Sequence, residues 1–465
     1  MAGPTEAALS AMFTTHRVLN RAPQLAWGVV RDGQLSMHGG DDADERTVFR
    51  IASMTKSFTA AAVLHLRDAG VLRLDDSIAH YAPELASVRY PTSDAPAITV
   101  RDLLTMSAGL PTEDPWADRH MDITDDELDA LIAAGFTFAV PTGTAMQYSN
   151  LGYALLGRVV WRATGVRVQD HVRRCFLKPL GMDSTGWTLQ DLSTDVTMAR
   201  GFAIAEDPDC DWVEVAQCGD GAIAPMGGIY TTIEDLAKWV TFVLDAFPAR
   251  DGCDAAPLSR ATRREMQQGW RMFAPETRTA LDGATRVVQG GYGMGLMAQH
   301  HDTLGPVVTH SGGIPGYGSN MRWVPGTGVG VVALANVTYA RMADATAAVL
   351  DLLQQHEVVG RVVTPNAPHL GDAARSLISL LGSWNDTAAD VLFADNMFAD
   401  RSRAARSEEA GELVARHHEL TVERIDAMNG TEADVVVRGR DQTFTVSLSL
   451  TPHARPLVLW YEINE

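Results

Sequence analysis

The sequence predicts an α+β protein in two parts. The first is an antiparallel sheet drawn from both ends of a long segment with a helical insert between; the second is a smaller α+β module. Three observations carry this. Strand-like runs lie at 24–40 and again at 292–337, with short helical patterns between them. Short turns join those runs, which suits antiparallel pairing. A stretch with two prolines, "VVGRVVTPNAPHLG" (358–371), then separates this part from further helices and strands.

Taken in order, "QLAWGVVRDGQLSMHGG" (24–40) has two apolar runs around Asp32-Gly33, a hairpin signal. A helix is expected from Ser53, with Phe58, Ala62 and Leu66 at helical spacing and Gly70 as its C-cap. Residues from about 75 to 285 read as short helices and loops, among them "VRDLLTM", "LGYALLGRVVWRATG" and "TTIEDLAKWVTFVLDAF". Strand character returns in "YGMGLMAQ", "GPVVTHSGG", "YGSNMRWVPG" and "GVGVVALANV", and a helix is expected at about 340–356. A two-stranded hairpin is marginal alone, so the early and late strands are assigned to one sheet. The expected division is a domain at 1–357, a linker at 358–371 and an accessory α+β domain at 372–465. In the last, helical stretches (372–396, 402–418) precede four strand-like runs.

The chain has 465 residues, a formal net charge of −20, 46% hydrophobic and 21% charged residues. The size exceeds one ordinary core. The charge disfavours nucleic acid and anionic membrane as partners, since phosphates would be repelled. No apolar run approaches the ~18–20 residues needed to span a bilayer. "MAGPTEAALSAMFTTHRVL" does not read as a secretory signal, so a cytoplasmic setting is expected. Cys175, Cys210, Cys218 and Cys253 are too few for a disulfide framework. Cys210 and Cys218 could pair across a hairpin, but free, partly buried thiols are expected. No CxxC or HExxH occurs, and His300-His301 and His417-His418 read as surface pairs; neither a metal nor a cofactor is called for.

Only three residues are lysines, Lys56, Lys178 and Lys238, in a chain with 38 Lys plus Arg. In "FRIASMTKSFTAAAVLHL" (49–66) the first of them stands three residues after Ser53. On a helix such positions are neighbours, with Cβ atoms ~5–6 Å apart. A serine hydroxyl is a poor nucleophile until a base takes its proton. Lysine can be that base when burial lowers its pKa; arginine cannot. Alone, the pair would equally serve as a helix cap and a solvated lysine, so further residues must support it. "GTAMQYSNLGYALLG" (143–157) supplies Tyr148, a phenol able to relay protons, and Asn150, whose amide could hold a substrate amide. "VVTHSGGIPGYGSN" (307–320) puts His310, Ser311, Gly312 and Gly313 at a strand end. There small residues admit a substrate backbone, and the Gly313 N–H could complete an oxyanion hole with that of Ser53. His310 could hydrogen-bond Tyr148 or a substrate carboxylate. "TMSAG" (105–109) lacks the first glycine of a nucleophile elbow, and Ser107 reads as structural.

Ser-x-x-Lys, Tyr-x-Asn and His-x-Gly in this order resemble the penicillin-recognising serine hydrolases, and most closely their class C β-lactamase-related branch. That branch holds D-alanyl-D-alanine carboxypeptidases, D-aminopeptidases, β-lactamase-type esterases and some acyltransferases. "LLTMSAGLP", "PLGMDSTGW" and "GGIYTTIEDLAKW" support the likeness, which covers roughly residues 15–356. The resemblance implies a β-lactamase/transpeptidase-like fold, an antiparallel sheet flanked by helices with an all-helical subdomain. It implies that Ser53 is acylated, that Lys56 and Tyr148 share the base and acid duties, and that Asn150 holds the substrate amide. His310 would stand where many β-lactamases carry lysine, and Gly313 would offer an oxyanion N–H.

The expected activity is cleavage of an amide or ester of a small substrate, such as a D-amino-acid-containing peptide or a carboxylic ester, through a Ser53 acyl-enzyme. Two alternatives stay open: an acyltransferase or peptide cyclase using the same acyl-enzyme, and a non-catalytic β-lactam-binding sensor. In "PTEDPWADRHMD" (111–122), Glu113, Asp114 or Asp118 could bind a substrate amine. The C-terminal module carries no chemical constellation. Covering the cleft, pairing two copies as a homodimer, or no catalytic part are all compatible with it.

Overall fold

The computed structural model describes residues 4–192, 196–207, 210–279, 285–359 and 367–464. The chain divides into two compact units, Met1–Arg361 and Val362–Glu465.

The hairpin at Asp32-Gly33 forms as its sequence demands. Both turn residues have positive φ (51° and 81°), the twist that joins β1 (Leu25–Arg31) to β2 (Gln34–Asp41). The later strands are β3 (Arg271–Met272), β4 (Glu276–Thr279), β5 (Thr285–Tyr292), β6 (Met297–His301), β7 (Gly305–Ile314), β8 (Tyr317–Val324) and β9 (Val329–Ala335). Among the described residues they make one sheet in the order β2-β1-β9-β8-β7-β6-β5-β3, with β4 paired to β5. Every named pairing is antiparallel, and Leu25 lies opposite Ala335. Short strands at Phe202–Ile204, Trp212–Glu214 and Tyr230–Thr231, and the return of this sheet at Arg271, thus lie within the stretch 75–285 read as helices and loops.

Central strands β8 and β9 are buried along their whole length, and β1 as far as Val30, because both faces are covered. Leu25, Trp27 and Val29 join Val331 and Ala333 in a core with α1 (Glu6–Asn20) and a late helix, Met342–Gln355. Ala26 and Val30 join Val332 and Leu334 in a larger core on the other face. That core holds α2 (Thr55–Asp68), α3 (Asn150–Thr164) and α4 (Ile233–Leu244). Trp239 of α4 stacks on Phe58 of α2 at 3.8 Å. The Met342–Gln355 helix is hereafter α5.

The second unit contains α6 (Pro368–Gly382), two short helices (Asp386–Leu392, Asn396–Asp400) and α7 (Arg403–His417). An antiparallel sheet follows, β10 (Thr421–Ala427), β11 (Glu432–Arg438), β12 (Thr443–Leu450) and β13 (Val458–Asn464), in sequential order. In β11 and β12 alternate residues are buried, the pattern of a sheet with one covered face. Of the expected linker 358–371, residues 360–366 lie outside the described residues, and Pro368 already begins α6. All four cysteines are free, Cys210 and Cys253 being exposed. Among the described residues no helix is long and apolar enough to cross a membrane.

Candidate active site

Ser53 sits one step earlier in the architecture than expected. It lies in a 3₁₀ turn, Ala52–Met54, and α2 begins only at Thr55. Ala52 has φ +48°, in the left-handed region that alanine avoids. The turn is held from both sides. Ile51 N donates to Ile229 O at 3.0 Å, and Ser319 Oγ of β8 donates to Ile51 O at 2.9 Å. Gly312 packs on the same carbonyl: a Cβ there would lie 2.1 Å from Ile51 O.

Lys56 is fully buried. Its Nζ donates to Ser53 Oγ at 3.0 Å, Asn150 Oδ1 at 2.6 Å and Met226 O at 2.9 Å. Nζ also lies 4.9 Å from the centre of the Tyr148 ring. Burial lowers its pKa to about 8, against the opposing pull of the Asp114, Asp118 and Glu113 carboxylates. The Tyr148 hydroxyl is hydrogen-bonded to Ser53, yet burial still holds its pKa well above 10, so at neutral pH it is a phenol. Of the two groups beside Ser53, Lys56 therefore loses its proton first.

Asn150 is the first residue of α3, while Ser149 caps the helix by accepting from Gly152 N at 3.2 Å. The Asn150 Oδ1 is taken by Lys56, and its Nδ2 donates to Asp114 Oδ1 at 2.6 Å. The expected free amide for a substrate is thus engaged inside the protein; it orients the lysine. The three acids are likewise partnered. Glu113 Oε1 accepts from Leu151 N in the first turn of α3, and Asp118 Oδ2 accepts from Tyr339 OH at 2.8 Å. Burial raises Glu113 above its usual range and Asp118 to about 6.

His310 is 1% exposed. Its Nδ1 lies 2.7 Å from Ser311 O, which can only accept, so Nδ1 carries the hydrogen. Nε2 is then the acceptor for Tyr292 OH at 3.1 Å. Burial, followed by the positive charge of Lys56, lowers the imidazole to about 3, so it is neutral. The expected partners of His310 were Tyr148 or a substrate carboxylate. Its ring lies 6.3 Å from that of Tyr148, and a neutral ring with both nitrogens engaged is no counter-ion. Tyr292, the last residue of β5, escaped the sequence reading because nothing in its spacing ties it to His310.

A cleft of about 780 Å³ opens over Ser53, lined also by Tyr148, His310, Ser311, Gly312, Gly313 and Asp114. β6 pairs with β7 only as far as Thr309, and among the described residues no strand pairs with 310–314 on that side. Asn320 of β8 braces this end: its Nδ2 donates to Ser311 Oγ at 2.9 Å and His310 O at 3.1 Å. Ser107 donates to Asp102 Oδ1 at 2.8 Å and is fully buried, as a structural serine should be.

Comparison with known proteins agrees with this geometry. Residues 10–355 match the Beta-lactamase family. "Penicillin-binding protein 4" of Amycolatopsis lactamdurans is 29% identical over 335 residues, covering 70% of this chain and 83% of that protein. "Beta-lactamase-like protein 2" of Dictyostelium discoideum is 32% identical over 204 residues, covering 43% of this chain but only 36% of that protein. In fold, the chain is similar to an octameric penicillin-binding protein homologue from Pyrococcus abyssi. That match has TM-score 0.60 and 19% identity, and covers 97% of this chain and 91% of the other. A D-stereospecific amidohydrolase from Streptomyces gives TM-score 0.56 at 22% identity, covering 74% and 98%. The chain belongs to the beta-lactamase family and is one of the penicillin-recognising serine hydrolases.

Proposed function

We propose that this hydrolase cleaves an amide or ester bond of a small substrate through an acyl-enzyme on Ser53. The observation that carries the reading is the Lys56 amine, buried, 3.0 Å from Ser53 Oγ and lowered to about 8. In its neutral form Lys56 takes the Ser53 proton as Oγ bonds to the substrate carbonyl carbon. The backbone N–H groups of Ser53 and Gly313 hold the oxyanion, a contribution of roughly 10²–10³ in rate per donor. Tyr148, still a phenol, gives its proton to the leaving nitrogen or oxygen as the carbonyl–leaving-group bond breaks. The proton on Lys56 then passes to the Tyr148 phenolate, restoring the phenol and the neutral amine. Water attacks the ester, and the same groups run in reverse to free the acid and restore the Ser53 hydroxyl.

Substrate choice follows from His310. A neutral ring at the strand end offers no cation for a substrate carboxylate, which favours neutral amides and esters over penicillin-like acids. Peptidase, amidase or esterase chemistry is therefore preferred to β-lactam hydrolysis. The test is a panel of D- and L-aminoacyl amides, nitrophenyl esters and nitrocefin, run on the wild type and Ser53→Ala. Turnover of amides or esters that vanishes in Ser53→Ala supports the reading. A serine-directed probe that leaves the 51–66 peptide unmodified would overturn it.

A further inference from the structure

Helix α2 carries a second chemical feature at its far end. His65 lies nine residues beyond Lys56, about 13 Å along the helix axis. Facing it is the helical turn Val168–Val172, which runs on into a wider turn, Arg173–Leu177, closed by Lys178 N donating to Arg173 O at 3.1 Å. Such π-type turns recur at functional positions. His171 and Cys175, four residues apart, lie on this segment. His65 Nδ1 and His171 Nε2 are 3.3 Å apart, and the ligand atoms of His65, His171 and Cys175 all fall within 4.8 Å of one another.

We propose that His65, His171 and Cys175 form a zinc-binding site with three protein ligands and a fourth position open to water. Tetrahedral zinc holds nitrogen at ~2.0–2.1 Å and thiolate sulfur at ~2.3 Å, which sets ligand atoms about 3.3–3.6 Å apart. The two imidazoles already stand at that separation. Cys175 closes the remaining gap by a side-chain rotation. The chemistry of the donors agrees: two imidazoles and one thiol suit zinc, and no carboxylate belongs to the set.

The two histidines hydrogen-bond each other through the atoms that would face the ion. His171 is 3% exposed, its Nδ1 has no hydrogen-bond partner, and its Nε2 faces only His65. Cys175 is a free thiol. The charges acting on the pair are Asp68, which favours a cation beside His65, and Arg174, which opposes one. The Cys175 thiolate, formed as its proton leaves to solvent on binding, supplies the further negative charge. The ion would join α2 to the 168–177 segment and stabilise the fold by mass action, without touching Ser53.

Cobalt(II) and zinc titrations of the chelator-stripped full chain test this. Cobalt should bind at one equivalent, with thiolate-to-metal absorption in the near ultraviolet and visible bands of tetrahedral intensity. Zinc should displace it and raise the Tm. Cys175→Ala and His65→Gln should each lose the charge-transfer band and the Tm rise while keeping wild-type esterase or amidase activity. Cys210→Ser and Cys253→Ser should keep both signals. Absence of the band in the wild type, or its survival in Cys175→Ala, would overturn the site. Should His65→Gln fail to fold, Cys175→Ala decides alone. Activity and metal binding are read separately, so failure of one proposal is distinguishable from failure of the other.

Discussion

If neutral Lys56 is the base, the rate must follow its titration. With the amine at about 8, the neutral fraction is about 9% at pH 7, about 50% at pH 8 and about 91% at pH 9. For a substrate that does not titrate in this range, kcat/KM should rise about tenfold from pH 7 to pH 9 and then level. Tyr148 cannot produce this limb, because its own pKa lies well above 10. Nor can His310, which is lowered to about 3. Lys56→Arg keeps the charge, cannot deprotonate, and should abolish turnover. The assay is the initial rate of nitrophenyl ester hydrolysis across pH 6–10, with active sites counted by the acylation burst. A profile flat from pH 6 to 9, or an active Lys56→Arg enzyme, would refute the lysine as base.

Three further outcomes are expected. Asp118 is raised to about 6 from an ordinary 3.8, so between those values the native state holds more protons than the unfolded one. Stability should fall as pH rises through that window. Asp118→Asn should reduce the slope in urea titrations, and it should move the Lys56 limb to lower pH, because one of the three carboxylates that sustain the ammonium is gone. In Gly312→Ala the new methyl meets Ile51 O; overpacking costs ~1–3 kcal/mol, and the nucleophile turn is displaced with it. Melting and burst amplitude should fall together. Tyr148→Phe should slow amide cleavage by ~10²–10⁴ and slow nitrophenyl ester cleavage much less, since nitrophenolate leaves unaided; equal losses on both would argue against Tyr148 as the acid.

How much of this was legible depended on distance along the chain. Ser53 and Lys56 are three residues apart, and helical geometry alone brings them together. The strand-like runs that close the chain were legible as β10–β13, whereas the alternating burial of β11 and β12 emerged only from the structure. The strands β3–β5 were less legible: Glu276, Thr277 and Val287 are exposed, so pairing rather than burial holds them and no apolar period marks them. Asn150 was recognised as belonging to the site but not as the lysine's partner. That depends on Asp114 reaching its Nδ2 across 36 residues. His310 was read at a strand end, whereas β7 runs on to Ile314; its neutrality follows from burial and the nearby Lys56 ammonium, neither of them visible in a local motif.

The register Leu25↔Ala335 also has a temporal meaning. A ribosome makes about 5–20 residues per second, so roughly 15–60 s separate the emergence of β1 from that of the strand it pairs with. Throughout that interval the nascent hairpin can shelter Trp27 and Val29 only against α1, while Val30 waits for α2 and α4. Vectorial synthesis therefore leaves the β1–β2 hairpin without its central partner until β9 emerges, and the cleft over Ser53 can be completed only after β7 has been translated.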